Sequence, residues 1–274
     1  MCELLGVSSN LGATVNVSLP AFAKRGGLSG PHDSGWGIAY YEDRDVRLIK
    51  AAEPAANSDW IPFLARHSLR SPLVLAHIRR ATIGNVAYAN TQPFLRELGG
   101  RMHAFAHNGN LPGIFRSAEL QPGRFRPVGE TDSELAFCAL LGRLAPLWQP
   151  ERAVPTLESR LNVVSEFAGM VRALGPANFL YSDGDVLFAH GHRRFHPDSA
   201  SVAPPGLVTL ERWCHRGTQG FVTEGLTVDA ADQQIVLVTS VPLTDEAWQP
   251  VEEGEVLAIA QGRIQARRSA EHST

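Results

Sequence analysis

The chain has 274 residues and a mass of 29.7 kDa, with 44% hydrophobic and 19% charged residues, a balance that excludes disorder and coiled coil. Twenty-five basic and 28 acidic residues leave a net charge of −3 with no basic run, which argues against a nucleic-acid partner. No apolar run approaches the ~18 residues of a membrane span and no basic, apolar leader opens the chain, so a cytoplasmic protein with no membrane partner is expected.

In chain order, the first element is a hairpin: Trp36 to Tyr41 and Val46 to Lys50 are rich in strand formers, with the polar Glu42 to Asp45 between them. Pro72 to Arg79 and Arg101 to His107 read as two more strands. Thr131 with Glu134 three residues on is a capping-box pattern, and Leu135, Cys138, Leu141 and Leu144 follow at helical spacing. A second helix is predicted over about Leu157 to Leu174, carrying Leu161, Val164, Ala168 and Val171 on one face and stopped by Gly175-Pro176. Strands follow at Ala177 to Ser182, Val186 to His190, Gln234 to Ser240 and Glu255 to Ala260. The Pro/Gly-rich stretches Gly26 to Gly35, Gly109 to Gly123 and Pro204 to Gly206 are short enough to be loops, so 1–274 is expected to be one domain. Strands grouped around two helices give an α+β layered class, with the order of layers left open by pattern alone.

The chemistry begins at Cys2. The three cysteines, Cys2, Cys138 and Cys214, are sparse and odd in number, which fits a reducing compartment and no disulfide framework. Removal of Met1 would leave Cys2 with a thiol of pKa ~8.5 beside an α-amine of pKa ~7.7–8.0, a nucleophile and a base on one residue. A small buried residue near a chain end is the alternative. Arg79 at a strand end is a ligand-binding guanidinium or a surface ion-pair partner. Asn108-Gly109 is an anion cradle or a hairpin turn, and Asp132 is a ligand carboxylate or helix N-terminal charge.

These residues fall in five ordered blocks: Cys2; His32-Asp33-Ser34-Gly35-Trp36-Gly37; His77-Ile78-Arg79-Arg80-Ala81-Thr82 with Asn90-Thr91-Gln92-Pro93-Phe94; Phe105-Ala106-His107-Asn108-Gly109-Asn110-Leu111; and Gly129-Glu130-Thr131-Asp132-Ser133-Glu134. Together they resemble the glutaminase domain of class II glutamine amidotransferases, N-terminal-nucleophile hydrolases, over about residues 2 to 140. Asp183-Gly184-Asp185 and Ser240-Val241-Pro242-Leu243 resemble the stand-alone, YafJ-like branch, whose members lack a synthase domain.

The resemblance implies a four-layer αββα sandwich of two antiparallel sheets. It implies Cys2 as nucleophile, Arg79 on the glutamine α-carboxylate through a two-pronged fork, and Asp132 on the α-amine. Asn108 and Gly109 become the oxyanion hole, Thr82 joins the substrate-binding set, and no cofactor or metal is implied. Arg80, next in an extended segment, is expected on the opposite face from Arg79.

Structural roles are expected for His32, His77 and His107. His190-Gly191-His192 with His215 lacks the carboxylate or cysteine of a standard metal site. Asn16-Val17-Ser18 spells a glycosylation sequon that is expected to be unused. Three readings follow: a glutaminase that hands ammonia to a partner protein; a self-contained hydrolase of another γ-glutamyl compound, as in ergothioneine biosynthesis; or a glutamine-binding module with Met1 retained. In the second, the region after Gly109 and the Ala21 to Pro31 loop would set leaving-group size.

Overall fold

The computed structural model describes residues 2–14, 33–67, 69–149, 153–214, 221–223, 226–228 and 232–270. Two antiparallel sheets lie face to face. The first contains β1 (Glu3–Thr14), β2 (Gly35–Glu42), β3 (Asp45–Ala51), β4 (Arg70–Arg79), β11 (Val208–Cys214), β14 (Gln233–Thr239) and β15 (Gln249–Pro250), in the order β15-β11-β14-β1-β4-β2-β3. The second contains β5 (Phe94–Leu98), β6 (Arg101–Gly109), β7 (Ala177–Ser182), β8 (Leu187–His190), β16 (Val256–Ala260) and β17 (Arg263–Arg268), in the order β17-β16-β8-β7-β6-β5. Two short hairpins, β9 (Arg194–His196) with β10 (Ser201–Ala203) and β12 (Phe221–Thr223) with β13 (Leu226–Val228), pair with neither sheet.

Side-chain alternation explains the layering. Leu4, Leu73, Leu75, Val236 and Val238 of the first sheet meet Ala104, Ala106, Leu180, Leu187, Ala189 and Leu257 of the second in a core between the sheets. A small residue on β1 lets the sheets approach: a Cβ on Gly6 would stand 2.9 Å from Leu187 of β8.

The opposite face of the first sheet, with Leu5, Val7, Trp36, Ile38 and Ile78, packs on α1 (Trp60–His67) through Ile61 and Leu64. The far face of the second, with Phe105, Phe179 and Phe188, packs on α2 (Asp132–Leu144) and α3 (Leu157–Arg172). The layers are α, β, β, α, as expected, with the first helical layer reduced to one short helix among the described residues.

Both long helices start at a capping threonine, the first at the expected Thr131. The Thr131 side chain accepts from Glu134 N, and Thr156 accepts from Ser159 N. Glu134 does not complete a reciprocal box; its carboxylate accepts from Val128 N and Gly129 N and pairs with Arg96 at 2.5 Å. This bond system fixes the approach to α2. The second helix ends at Arg172 rather than Leu174, ahead of Gly175 at φ +155.

Candidate active site

The alternation that builds the core also aims polar side chains between the sheets at one end. On β1, Leu4 and Gly6 face the second sheet, so Cys2 continues that inner row. Arg79 follows Leu73 and Leu75 on β4, Asn108 follows Ala104 and Ala106 on β6, and Ser240 follows Val236 and Val238 beyond β14. Apolar core residues thus give way, on four neighbouring strands, to a thiol, a guanidinium, an amide and a hydroxyl.

Hydrogen bonds tie three of them. Asn108 Nδ2 donates to the Cys2 carbonyl at 2.6 Å and to Ser240 Oγ at 3.3 Å, while Asn108 Oδ1 is buried without a partner among the described residues. Leu4 N donates to Ser240 Oγ at 3.0 Å and Ser240 N to Leu4 O at 3.1 Å, which locks the end of β14 to the start of β1. The half-buried Cys2 Sγ accepts from Arg80 N at 3.3 Å and faces Arg80 O at 3.6 Å. Burial pushes the thiol pKa up; the Arg80 N–H and the Arg79 guanidinium pull it down, and the Asp132 carboxylate raises it. The raised pKa keeps the sulfur protonated at neutral pH, so nucleophilic use of it requires a base.

Arg79 is buried beneath the 83–85 turn and donates to Asn85 O (3.0 Å) through Nη1 and to Ile83 O (3.0 Å) and Gly84 O (3.2 Å) through Nη2. Three of its five N–H groups are occupied by the turn, which leaves one on Nε and one on Nη1 rather than two parallel donors on one edge. Arg80 is exposed, as alternation predicts.

Asp132 opens α2. Its Oδ2 accepts from Leu111 N at 2.7 Å and its Oδ1 from Ser133 N at 2.8 Å and Ser133 Oγ at 3.3 Å. Ser133 Oγ also meets His107 Nδ1 at 2.9 Å, and Gln92 brackets the His107 backbone, its Oε1 accepting from His107 N at 2.6 Å and its Nε2 donating to His107 O at 3.3 Å. Burial lowers the pKa of His107 against the pull of Asp132, which favours the neutral ring.

Gly109 follows from strand register. Asn110 N donates to Pro176 O, so the Gly109–Ala177 pair is the non-hydrogen-bonded one and the Gly109 N–H points away from β7. A Cβ there would collide with the Pro176 carbonyl, so only glycine fits.

Thr82 is exposed and joins none of these hydrogen bonds; the structure does not bring it into the cluster. His32, His215, the sequon and the Ala21 to Pro31 loop lie outside the described residues. His77 is buried in β4. His190 and His192 stack 6.3 Å apart, with His190 Nδ1 on Glu255 O, and no cluster of three metal-ligating residues occurs among the described residues. Two surface clefts of about 340 and 650 Å³ flank Arg172 on α3, and the larger is lined in part by Pro176, whose carbonyl faces Gly109. Ser240 and Asn90 lie within sequence blocks already quoted, but nothing in the sequence marked what their side chains hold.

The model of the glutamine amidotransferases class-II family matches residues 1–274. The Escherichia coli protein named "putative glutamine amidotransferase YafJ" is 37% identical over 261 residues, covering 93% of this chain and 96% of its own. A Haemophilus influenzae protein of the same description is 31% identical, covering 96% and 85%. The crystal structure of a predicted glutamine amidotransferase from Pseudomonas aeruginosa superposes with a TM-score of 0.67 at 33% identity, over 97% of this chain and all of that one. A phosphoribosylpyrophosphate amidotransferase from Bacillus subtilis shares the fold at 18% identity and a TM-score of 0.60, this chain spanning 49% of its length.

Proposed function

Because this chain belongs to the class II glutamine amidotransferases, we propose that it hydrolyses the side-chain amide of glutamine through a γ-glutamyl thioester on Cys2, acting as one glutaminase unit. The observation that carries this reading is the convergence of Cys2, Arg79 and Asn108 on facing strand ends, with Asp132 close enough to perturb the thiol.

Glutamine docks with its α-carboxylate on the two remaining Arg79 N–H groups and its α-ammonium on Asp132. After Met1 is removed, the Cys2 α-amine takes the thiol proton and the sulfur attacks the amide carbon. The oxyanion receives the Gly109 N–H and an Asn108 Nδ2–H that exchanges its long bond to Ser240; each such donor is worth about 3 kcal/mol. The protonated Cys2 amine returns that proton to the departing nitrogen, ammonia leaves, and the thioester remains. Water, deprotonated by the same amine, attacks the thioester and releases glutamate with the thiol restored.

Val86, Tyr88 and Val128 are exposed on the two segments beside Arg79 and Asp132, an apolar rim that supports transfer of ammonia to a separate acceptor protein. Cys2→Ala and Cys2→Ser are expected to lower ammonia release by about 10⁴-fold or more with thermal unfolding unchanged. Undiminished turnover, or full activity in material whose intact mass retains Met1, overturns the mechanism. A panel of γ-glutamyl amides then tests whether glutamine is the preferred substrate.

A further inference from the structure

Arg79 and Asp132 lie on different layers, one at the end of an inner strand and one at the start of an outer helix, yet their spacing must match one amino-acid head. The structure assigns the job of holding that spacing to Asn90, a positioning residue; the inference rests on the glutaminase reading above.

Asn90 is buried in the 88–92 segment. Its Nδ2 donates to Asn85 O at 3.0 Å, and Asn85 O is also an acceptor for Arg79 Nη1. Its Oδ1 accepts from Glu130 N at 2.8 Å, two residues ahead of Asp132. One amide therefore links the carbonyl cradle of the guanidinium to the backbone that leads into the carboxylate. Its own segment is clamped as well: Lys50 Nζ donates to Thr91 O at 2.7 Å, and Thr91 Oγ1 donates to Ala87 O at 3.0 Å.

Two glycines give independent testimony. A Cβ on Gly84, which sits at φ +75, would stand 2.9 Å from Asn90 Nδ2, and a Cβ on Gly129 would collide with Asn90 Oδ1. Both glycines thus make room for the same side chain, one on each side of it. No carboxylate does this work, which follows from chemistry. An amide donates to one backbone and accepts from the other, whereas an ionised carboxylate would face the Asn85 carbonyl with no proton to offer.

Asn90 does not touch the reacting amide, so its loss must act on the amino-acid head and leave the sulfur alone. Two reagents separate these at Cys2, read by mass spectrometry of the Cys2 peptide: 6-diazo-5-oxo-L-norleucine, which carries the glutamine head, and iodoacetamide, which does not. In Asn90→Ala and in the near-isosteric Asn90→Asp, labelling by the diazoketone is expected to slow about tenfold or more while iodoacetamide labelling stays within about twofold. The glutamine KM should rise by about the same factor with kcat little changed.

Equal diazoketone labelling in wild type and both variants overturns the assignment, and so does a parallel slowing of both reagents, which would mean a general loss of structure. A wild-type protein in which the diazoketone shows no preference for Cys2 overturns the glutaminase reading itself.

Discussion

Two buried arginines of this molecule have opposite surroundings. Arg160 on α3 reaches the turn between β7 and β8, where Nη1 donates to Asp183 at 2.8 Å and Nη2 to Asp185 at 2.7 Å, and Asp183 also accepts from Asp185 N and Val186 N. These carboxylates raise the pKa of Arg160 against its burial. Arg79 is equally enclosed but meets only carbonyls among the described residues, and burial lowers its pKa with only the Cys2 sulfur opposing. A compensated charge closes a structure, while a charge held by neutral dipoles alone leaves its attraction for an anion unspent.

The largest effect expected from this contrast is on stability. Arg160→Met strands Asp183 in the interior and should cost about 3–5 kcal/mol in urea unfolding while leaving the glutamine KM within about twofold. If KM moves instead, Arg160 belongs to the site. Arg79→Gln should show the reverse: kcat/KM for glutamine falls by about 2–3 kcal/mol, roughly 30- to 150-fold, with unfolding shifted by only about 1 kcal/mol. Steady-state kinetics and denaturation on one preparation decide it.

Histidines sharpen the comparison through pH. Burial lowers His190 to about 3, with the Glu255 carbonyl opposing, and His103 and His107 are lowered by the same cause. A folded pKa below the unfolded 6.5 gives stability that is complete above pH 6.5 and is lost as pH falls from there toward 3. Each such histidine contributes a slope of up to about 1.4 kcal/mol per pH unit. His190→Phe should flatten the acid limb of a stability-against-pH curve; an unchanged limb would show that His190 charges freely in the fold.

The smallest effect concerns Ser240. Ser240→Ala removes one partner of the Asn108 amide and the tie to Leu4, and kcat should fall by about 1 kcal/mol, near fivefold, with KM steady. A rise in KM without a fall in kcat would place Ser240 on the substrate rather than behind Asn108.

Much of this was legible before the coordinates. Ala177–Ser182 and the cap at Thr131 follow from local pattern, because strand formers and capping side chains act over a few residues. The central strand β1 did not read as a strand, since Ser8, Ser9, Asn10 and two glycines break its apolar pattern. Its serines are satisfied only in the fold: Ser8 Oγ accepts from Gly262 N at 3.2 Å, and Ser9 Oγ donates to Leu11 O at 2.6 Å. The edge strand β17 alternates exposed Arg263, Gln265 and Arg267 with half-buried Ile264, Ala266 and Arg268, too polar a pattern to mark a strand. At the site, the sequence indicated Cys2, Arg79, Asn108, Gly109 and Asp132 through ordered blocks. It could not indicate that three Arg79 donors are already taken, because that depends on how the 83–85 turn folds back.

The most direct test of the central claim is rapid quenching of the enzyme with glutamine in excess, followed by peptide mass spectrometry. Hydrolysis through Cys2 should leave one γ-glutamyl unit on the sulfur of a peptide that begins at Cys2, formed and lost at the rate of ammonia release. Ammonia release with that peptide unmodified, or an adduct on Cys138 or Cys214 instead, would contradict it.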